Sequence, residues 1–506
     1  MLAAHLNLFP QCPVSTLQVL CFARKKFGSL QNSVSAFIDE DSSIQNRSRL
    51  AEYDSPVLTK RRRQPHRSRS RRQCDTPALG VGGDPCFTPF TPTTMSIEVS
   101  ETPAQASARE ERQKAGQPAH WLHSKPTEFH NPWPSFRSNQ LPGFKDAVTM
   151  LPYMFSMLTN SSSVLPDKET VAKIPIQKPT WGVGDSKLVA ENAGKIKATW
   201  LGHACFLVEL PSATAGVRGP RILFDPVFSD RCSPNQWMGP KRYTPPPCAL
   251  EDIPEIDAIV ISHNHYDHMD TTSLTNLLAR TPAPHVFAPL GNESYFEGLH
   301  IPASRAHCLD WWDARRVTSS AASPTTFDIT FTPGQHFTGR GLRDRFKSLW
   351  GGWVVESSSP PPQTSSSSSA ENTTPPARIY FGGDTGYRSV PSDTDDGPDT
   401  LPVCPAFKEI GARFASGFDF AMIPIGAYQP RRAMSPVHCA PRDSVALFQD
   451  IRARRALGMH WGAWFLTTEH ALEPPRLLKE ECEKKGIEEG AFGVCGIGET
   501  VVFEVL

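Results

Sequence analysis

Four side chains that commonly bind metal ions lie within six consecutive positions of this sequence. They are His263, His265, Asp267 and His268. They follow the apolar run 258–261, which has the composition of a buried strand. Several imidazoles and a carboxylate crowded together are unfavourable unless a cation organises them. The density of ligand types predicts a centre for two metal ions.

The spacing indicates how the ligands divide. Side chains alternate along a strand, so His263 and His265 can point to one side and hold one cation. If the chain turns directly afterwards, Asp267 and His268 can face a second cation. Four ligands cannot complete two sites, so we predict that further ligands come from distant segments.

Three other strand-like runs end in a metal-type residue. These residues are His336, after 328–332, Asp384, after 378–381, and His460, after 456–459. Glycines flank Asp384 and permit a tight turn with close approach of the backbone to a ligand. With these three, the set is large enough for two complete sites.

Together the seven residues resemble the pattern of the metallo-β-lactamase fold, an α/β class fold built as a four-layer αββα sandwich. The resemblance implies two Zn²⁺ ions as cofactors. One ion would be bound by His263, His265 and His336. The other would be bound by Asp267, His268 and His460. Asp384 would bridge both ions.

Longer strings narrow the resemblance to the N-acylphosphatidylethanolamine-hydrolysing phospholipase D family, over roughly residues 129–504. The strings that carry it are 131–135, 199–204, 224–234, 236–242, 309–312, 383–387, 424–428 and 460–462. The resemblance implies a zinc-dependent phospholipase D that releases N-acylethanolamine and phosphatidic acid. Asp267 and Asp384 would be the catalytic carboxylates, and Tyr266 and His438 would contact the substrate.

A two-metal site suits a phosphodiester. Two divalent ions about 3.5–4 Å apart can share a water and lower its pKa from about 15.7 towards about 7. We expect the resulting hydroxide to attack phosphorus in line with the departing ethanolamine oxygen. The substrate that the resemblance implies lies in a bilayer, so a peripheral membrane surface is an expected partner.

Three residues near the ligands have an alternative, structural interpretation, and a fourth is expected to lie near the metals. Tyr266 could be a packed loop aromatic, and His438 could only flank a helix expected over 441–454. Asp225 follows the strand-like run 221–224 and could orient a ligand imidazole or simply end the strand. We expect His203 to lie near the metals without being a ligand.

Composition divides the chain into three parts. Residues 1–94 contain a basic block over 60–72 and a Pro- and Ser-rich stretch, which predict a disordered extension. The basic block could be a nuclear address, an anionic-lipid patch or a solvated tail. Residues 95–190 are expected to pack as a lead-in on a catalytic domain over 191–506. A flexible insert is expected at 356–377.

The start of the chain weakly resembles a mitochondrial presequence, because its first 38 residues contain no Asp or Glu. Twelve cysteines without a Cys-x-x-Cys pair fit a reducing, intracellular compartment. No apolar run reaches the roughly 20 residues of a membrane-spanning helix. The apolar stretches 151–158, 240–247 and 311–312 could touch a bilayer or pack on the domain.

The formal net charge of zero gives no reason to expect nucleic-acid binding. The resembled family forms dimers, so a homodimer is a further expectation. Two alternative functions remain open. One is a soluble hydrolase of the same fold that acts on a lactone, a thioester or another phosphodiester. The other is a non-catalytic lipid-binding protein, against which the complete ligand set argues.

Overall fold

A computed structural model of the chain describes most of the region that carries the predicted site. The described residues are 96–103, 116–136, 165–182, 194–212, 218–319, 325–341, 343–357, 376–394 and 400–505, with the single positions 105, 110, 114, 192 and 398. The expected extension over 1–94, the apolar stretch 151–158 and most of the insert at 356–377 lie outside them. All described residues belong to one compact unit, 88–506.

Fifteen strands lie within the described residues. In chain order they are β1 (Ile97–Glu101), β2 (Ile196–Trp200), β3 (Phe206–Glu209), β4 (Arg221–Phe224), β5 (Ala258–Val260), β6 (His285–Pro289), β7 (Ala306–Leu309), β8 (Ala314–Ser319), β9 (Thr325–Thr332), β10 (Gly352–Ser357), β11 (Arg378–Phe381), β12 (Phe420–Pro424), β13 (Ala456–Met459), β14 (Phe492–Gly493) and β15 (Thr500–Phe503). The four strand-like runs predicted before metal-type residues all form strands.

The strands build two mixed sheets. One has eight strands in the order β1-β8-β9-β10-β11-β12-β13-β14, and the other has seven in the order β15-β2-β3-β4-β5-β6-β7. Strands β4 to β7 run parallel to one another, as do β11 to β14. Parallel neighbours end at the same sheet edge, so the residues that follow them are brought together.

Alternation along the strands creates two cores. Ala258 and Val260 of β5 belong to the large core between the sheets, with Phe331 and Trp353 from the eight-stranded sheet. The intervening Ile259 belongs to a second core on the outer face of the seven-stranded sheet. A strand buried on both faces reads as a continuous apolar run, as the sequence of β5 does.

Seven α-helices lie within the described residues. They are α1 (Lys168–Ala172), α2 (Thr271–Leu278), α3 (Glu293–Gly298), α4 (Ala406–Arg413), α5 (Arg431–Met434), α6 (Pro441–Asp450) and α7 (Glu473–Lys484). A short 3-10 turn spans Leu250–Asp252. No helix in this part of the chain is both long and apolar enough to cross a membrane.

The helices cover the outer faces of the sheets and complete the predicted αββα sandwich. Leu274 and Leu277 of α2 are fully buried in the outer core of the seven-stranded sheet. Helix α6 contacts β12, and α7 contacts β14, so both cover the eight-stranded sheet. Asp270 starts α2 by accepting hydrogen bonds from the backbone N–H groups of Thr272 and Ser273.

The structure corrects one sequence expectation and decides one open alternative. The helix expected over 441–454 ends at Asp450, because Ile451 caps it and Arg452 turns into the left-handed region at φ +61°. Trp311, a candidate for bilayer contact, is only 5% exposed. Its ring stacks on Trp133 at a centroid distance of 5.3 Å, and its Nε1 donates to the Trp350 carbonyl at 2.7 Å. Trp311 therefore belongs to the core.

The two sheets touch where β5 ends. Trp353 of β10 donates its Nε1–H to the carbonyl of Ile261 at 2.9 Å, and the Gly351 N–H donates to the Ser262 carbonyl at 3.2 Å. Gly383 approaches so closely that a Cβ there would lie 2.5 Å from the Ser262 Cβ, and its φ is +55°. Glycine is required at this position to bring the loop after β11 against the loop after β5.

Candidate metal centre

All seven predicted ligands meet at this junction between the sheets. The clusters of metal-type side chains are His263 with His265 and His336, His203 with Asp267, His268 and His460, His263 with His268 and Asp384, and His336 with Asp384 and His438. Their donor atoms lie within 4.8 Å of one another in each cluster. The structure brings the predicted set together, and the binding of metal by each member remains a prediction.

The first three histidines form one group. The Nε2 of His263 lies 2.9 Å from Nδ1 of His265, and the Nε2 of His336 lies 3.4 Å from the same atom. His263 and His265 follow β5, whereas His336 follows β9 of the other sheet. The group therefore exists only when both sheets are in place.

The second group contains Asp267, His268 and His460. The Nε2 atoms of His268 and His460 are 3.2 Å apart, and Asp267 Oδ2 lies 3.4 Å from the first and 3.6 Å from the second. His203 adds a contact of 3.0 Å from its Nε2 to Asp267 Oδ2. The sequence placed His203 near the ligands, and the structure adds a direct partner.

Asp384 lies between the two groups. Its Oδ2 is 3.1 Å from His268 Nε2 and 3.8 Å from His336 Nε2, and its Oδ1 is 3.0 Å from His460 Nε2. The Oδ2 atom is also 3.9 Å from His263 Nε2. A carboxylate with one oxygen near members of both groups is suited to bridge two cations.

Neighbouring groups orient three of the imidazoles. The Nδ1 of His268 lies 2.7 Å from Asp225 Oδ2, and the Nδ1 of His336 lies 2.8 Å from the Val437 carbonyl. The Nδ1 of His263 lies 2.9 Å from the Ser262 hydroxyl. Each contact leaves Nε2 directed into the centre, which is how proteins fix a ligand imidazole. Asp225 thus occupies the orienting position suggested by its sequence context.

Charge and burial give the two groups different protonation. Burial lowers the pKa of His263 and His336 well below the usual value, and lowers that of His265 to about 4. Burial also disfavours the charged form of His460, but the carboxylates of Asp384 and Asp267 raise its pKa to about 9. The pKa of His268 is likewise raised, against its burial, by the same two carboxylates.

These side chains fit a pair of cations. Five imidazoles and two carboxylates converge, and three rings have Nε2 within 4 Å of Asp384 Oδ2 despite complete burial of the His268 and His336 rings. Without a cation, such a set must hold protons between its members to limit repulsion. Nitrogen donors with a few carboxylates are the set that zinc and related transition ions prefer.

The predicted substrate-contact residues lie beside the centre. Tyr266 is half-buried, and the guanidinium of Arg340 lies 4.0 Å from its ring centroid. His438 is 7% exposed, and its Nδ1 is 3.9 Å from Asp384 Oδ2 with no hydrogen-bond partner among the described residues. A buried imidazole nitrogen without a partner among the described residues, close to the Asp384 carboxylate, is available to a ligand.

Sequence reasoning missed Arg340. Its guanidinium donates to the carbonyls of Asn264 and Met269, at 3.0 and 2.7 Å, and so joins the two ends of the ligand-bearing turn. It also donates to Thr271 Oγ1 at 3.2 Å. Nothing in the local sequence distinguishes this arginine from a surface residue, since its partners lie about 70 positions earlier.

The chain is similar to known proteins over more than half of its length. Residues 220–461 match a family model described as Beta-lactamase superfamily domain. N-acyl-phosphatidylethanolamine-hydrolyzing phospholipase D 1 of Caenorhabditis elegans is 36% identical over 307 residues, which cover 60% of this chain and 74% of that protein. The mitochondrial N-acyl-phosphatidylethanolamine-hydrolyzing phospholipase D of Saccharomyces cerevisiae is 29% identical over 358 residues, which cover 65% and 66% of the two chains.

Two further matches carry less information. A Mycobacterium tuberculosis protein named only as uncharacterized, Rv0906, is 29% identical over 375 residues, which cover 72% of this chain and 87% of that protein. The solved structure of Igni18, a metallo hydrolase from Ignicoccus hospitalis, aligns with a TM-score of 0.38 and 19% identity, covering 61% of this chain and 99% of that one.

Replacing Asp225 by Asn should weaken metal binding. The substitution keeps the size of the side chain and removes the charge that holds His268 Nδ1. Loss of such an orienting partner typically lowers metal affinity or activity by about 10- to 100-fold. Competition with a chromogenic chelator measures the affinity. The exposed Asp230→Asn is the control, and equal affinities for the two variants would contradict an orienting role for Asp225.

Metal binding should release protons at neutral pH. The raised pKa values of His460 and His268 keep them protonated in the metal-free protein, whereas a ligand imidazole must be neutral. Because their protonation increases as pH falls below about 9, affinity should fall in that direction. Each displaced proton lowers apparent affinity by about tenfold per pH unit. Calorimetry at pH ~7 in buffers of different ionisation enthalpy measures the release, and equal heats in all buffers would refute it.

Proposed function

Because this chain belongs to the N-acylphosphatidylethanolamine-hydrolysing phospholipase D family and is a metal-dependent hydrolase, we propose a specific reaction for it. It hydrolyses N-acylphosphatidylethanolamine, with two zinc ions, to N-acylethanolamine and phosphatidic acid. The observation that carries the proposal is Asp384, whose carboxylate lies within 3.9 Å of imidazoles from both ligand groups.

The chemistry that two divalent ions supply there is Lewis acidity towards a phosphoryl oxygen and a water whose pKa falls towards about 7. The residues of the chain hold and orient this arrangement. Asp384 would hold both ions, and Asp267 would hold one while it accepts a hydrogen bond from His203. The water oxygen bonds to phosphorus, the bond to the ethanolamine oxygen breaks, and a proton passes to that oxygen.

Two neighbours of the ligands are suited to contact the substrate. His438 presents a buried Nδ1 without a partner among the described residues, 3.9 Å from Asp384, where a phosphodiester oxygen or the polar headgroup could engage it. Tyr266 stands between two ligands, and the Arg340 guanidinium packed on its ring restricts its position. Both residues would bind substrate without holding a cation.

The substrate requires contact with a membrane surface, and one loop supports this requirement. Trp237 is 76% exposed and Met238 is 42% exposed. Their loop leads into Arg242, whose guanidinium lies 3.8 Å from the Trp464 ring centroid, and Trp464 packs edge-on against His203 at 4.9 Å. The exposed apolar tip is thereby connected to the ligand cluster through a short chain of contacts.

A cavity beside this loop also supports the proposal that this side of the molecule contacts a membrane. It has a volume of about 380 Å³ and is lined by the largely apolar Leu165, Pro166, Val171, Ala172 and Tyr243 and by the basic Lys168, Lys241 and Arg242. Apolar walls with basic residues match the acyl chain and phosphate of a phospholipid. The membrane partner would therefore be peripheral, and the name of the yeast relative favours a mitochondrial location. A homodimer is part of the proposal.

Purified protein should release N-acylethanolamine from vesicles that contain N-acylphosphatidylethanolamine. Phosphatidylcholine and a soluble phosphodiester should react far more slowly, and a chelator should abolish activity because the ions are essential. In ¹⁸O-labelled water, mass spectrometry should find the label in phosphatidic acid. Asp384→Asn should reduce turnover to background, whereas Asp230→Asn, on an exposed carboxylate, should retain it.

Three results would contradict this assignment in different ways. Hydrolysis of the soluble phosphodiester, a lactone or a thioester alone would support the soluble-hydrolase alternative. Lipid binding without any turnover of the metal-loaded protein would support the non-catalytic alternative. Label in the N-acylethanolamine would mean that water attacks carbon and not phosphorus.

Trp237→Ser should weaken vesicle binding by about tenfold. The loss of roughly 60 Å² of apolar contact, a fraction of one tryptophan, corresponds to about 1.4 kcal/mol. Turnover of vesicle substrate should fall in parallel, while turnover of substrate dispersed in detergent should stay unchanged. Val494→Ser is the control, because Val494 is also exposed, at 37%, but belongs to the β14–β15 connection. Equal vesicle binding by both variants would argue against a membrane role for this loop.

A further inference from the structure

The segment 131–135 lies well before the region that matches the family model, yet it contacts a loop that carries a predicted ligand. Asn131 donates from Nδ2 to the backbone carbonyl of His336 at 2.8 Å. Ser135 donates its hydroxyl to Oε1 of Gln335 at 2.6 Å. Asn131 is 9% exposed and Ser135 is 1% exposed. These are buried polar contacts that reach the ligand loop from outside the matched domain.

Gln335 uses both ends of its amide. While Oε1 accepts from Ser135, Nε2 donates to the carbonyl of Pro436 at 2.9 Å, two residues before His438. Its backbone N–H donates to Thr385 Oγ1 at 2.8 Å, and its carbonyl accepts from the Gly386 N–H at 2.7 Å. Gln335 is fully buried and therefore joins the loop of His336 to the loops of Asp384 and His438.

Ser135 is held from the other side. Its carbonyl accepts from both the backbone N–H and the hydroxyl of Ser389, at 3.1 and 2.6 Å. The next residue, Val390, donates its N–H to the hydroxyl of Ser435 at 2.8 Å. The lead-in segment is thus fixed to the loop after Asp384, and through that loop to the segment before His438.

We propose that Gln335, oriented by Ser135, is a positioning residue that sets where His336, Asp384 and His438 stand relative to one another. The lead-in segment then helps to set the geometry of the metal centre, in addition to packing on the domain. This inference goes beyond the proposed reaction, because it concerns the geometry of the centre for any substrate.

The physical basis is directional hydrogen bonding between buried groups. An amide with both ends paired fixes the separation of the groups it joins, and burial strengthens each bond. Without the Ser135 hydroxyl, the Gln335 amide oxygen loses the donor that fixes its orientation. Without the amide, the Pro436 carbonyl loses its donor, and the contact of His336 Nδ1 with the Val437 carbonyl is left to hold the loop of His438 against that of His336.

The test compares Ser135→Ala, Gln335→Met and the double variant in the full chain. Metal affinity, measured by chelator competition, should fall about tenfold for Ser135→Ala and up to about 100-fold for Gln335→Met. The absorption spectrum of the cobalt(II)-loaded protein should change, because the ligands move. The double variant should match Gln335→Met, because Ser135 acts through the amide.

Two matched controls separate positioning from stability. Gln105→Met also removes a buried glutamine with two hydrogen-bonded ends, to Asp313 and to the N–H of Ala314, but no ligand loop. Ser348→Ala removes a buried hydroxyl without a partner among the described residues. Both should leave the cobalt spectrum and metal affinity unchanged, even where they lower the unfolding temperature.

Several outcomes would overturn the inference. One is a Gln335→Met variant that matches Gln105→Met in cobalt spectrum and metal affinity. Another is an additive effect in the double variant. If Gln335→Met does not fold, Ser135→Ala decides alone, because it removes only one oxygen. None of these readouts needs a lipid substrate, so a failure of the proposed reaction would not affect them.

Discussion

The buried contact of one carboxylate with two imidazoles is the constraint on which this structure depends. Asp384 lies within 3.1 Å of both His268 and His460, and all three side chains are almost completely buried. Charges in such a place are unfavourable unless they are paired. Burial would raise the pKa of Asp384, but the two imidazoles hold it well below the usual value. The surrounding fold must keep these groups in register, or the charges are left uncompensated.

The two sheets meet this requirement by sharing the centre. The loop after β5 supplies one cluster of ligands, and the loops after β9, β11 and β13 supply the others from the opposite sheet. Trp353 and Gly383 fix the junction, one by a hydrogen bond and one by the absence of a side chain. Because the predicted ligands belong to both sheets, binding of a cation and packing of the sandwich would stabilise each other.

A layer of hydrogen-bonding groups stands between this junction and the rest of the molecule. Asp225 holds His268, the Val437 carbonyl holds His336, and Arg340 joins the ends of the turn that carries His265 and Asp267. These partners come from separate strands and loops. Three residues at the centre also adopt left-handed backbone, with φ of +54° at His203, +39° at Asp225 and +66° at His460. Non-glycine residues hold such conformations only where the surroundings over-determine them.

Much of the site could be predicted from sequence, because its ligands follow strands. An apolar run that ends in His or Asp predicts a strand with a polar residue at the sheet edge, and parallel strands bring those edges together. By this reasoning His336, Asp384 and His460 could be joined to the cluster at 263–268, and the structure brings all seven predicted ligands together. The four-layer sandwich was predicted through the resemblance to a known fold, and the structure confirms it. The predicted end of helix α6 was wrong by four residues. The helix ends at Asp450 because Ile451 and Arg452 turn the chain, which apolar periodicity does not reveal.

The sequence by itself therefore determined the ligand types, their order and the strands that present them. Only the tertiary structure decided which groups surround them. The pairing of Gln335 with Ser135, 200 positions earlier, and of Arg340 with the ligand turn leaves no local pattern. Hydrogen bonds between segments depend on how loops pack in space, whereas the placement of a residue at the end of a strand depends on its neighbours in the chain. That difference in range is why the convergence of these residues could be predicted from the sequence and their hydrogen-bond partners could not.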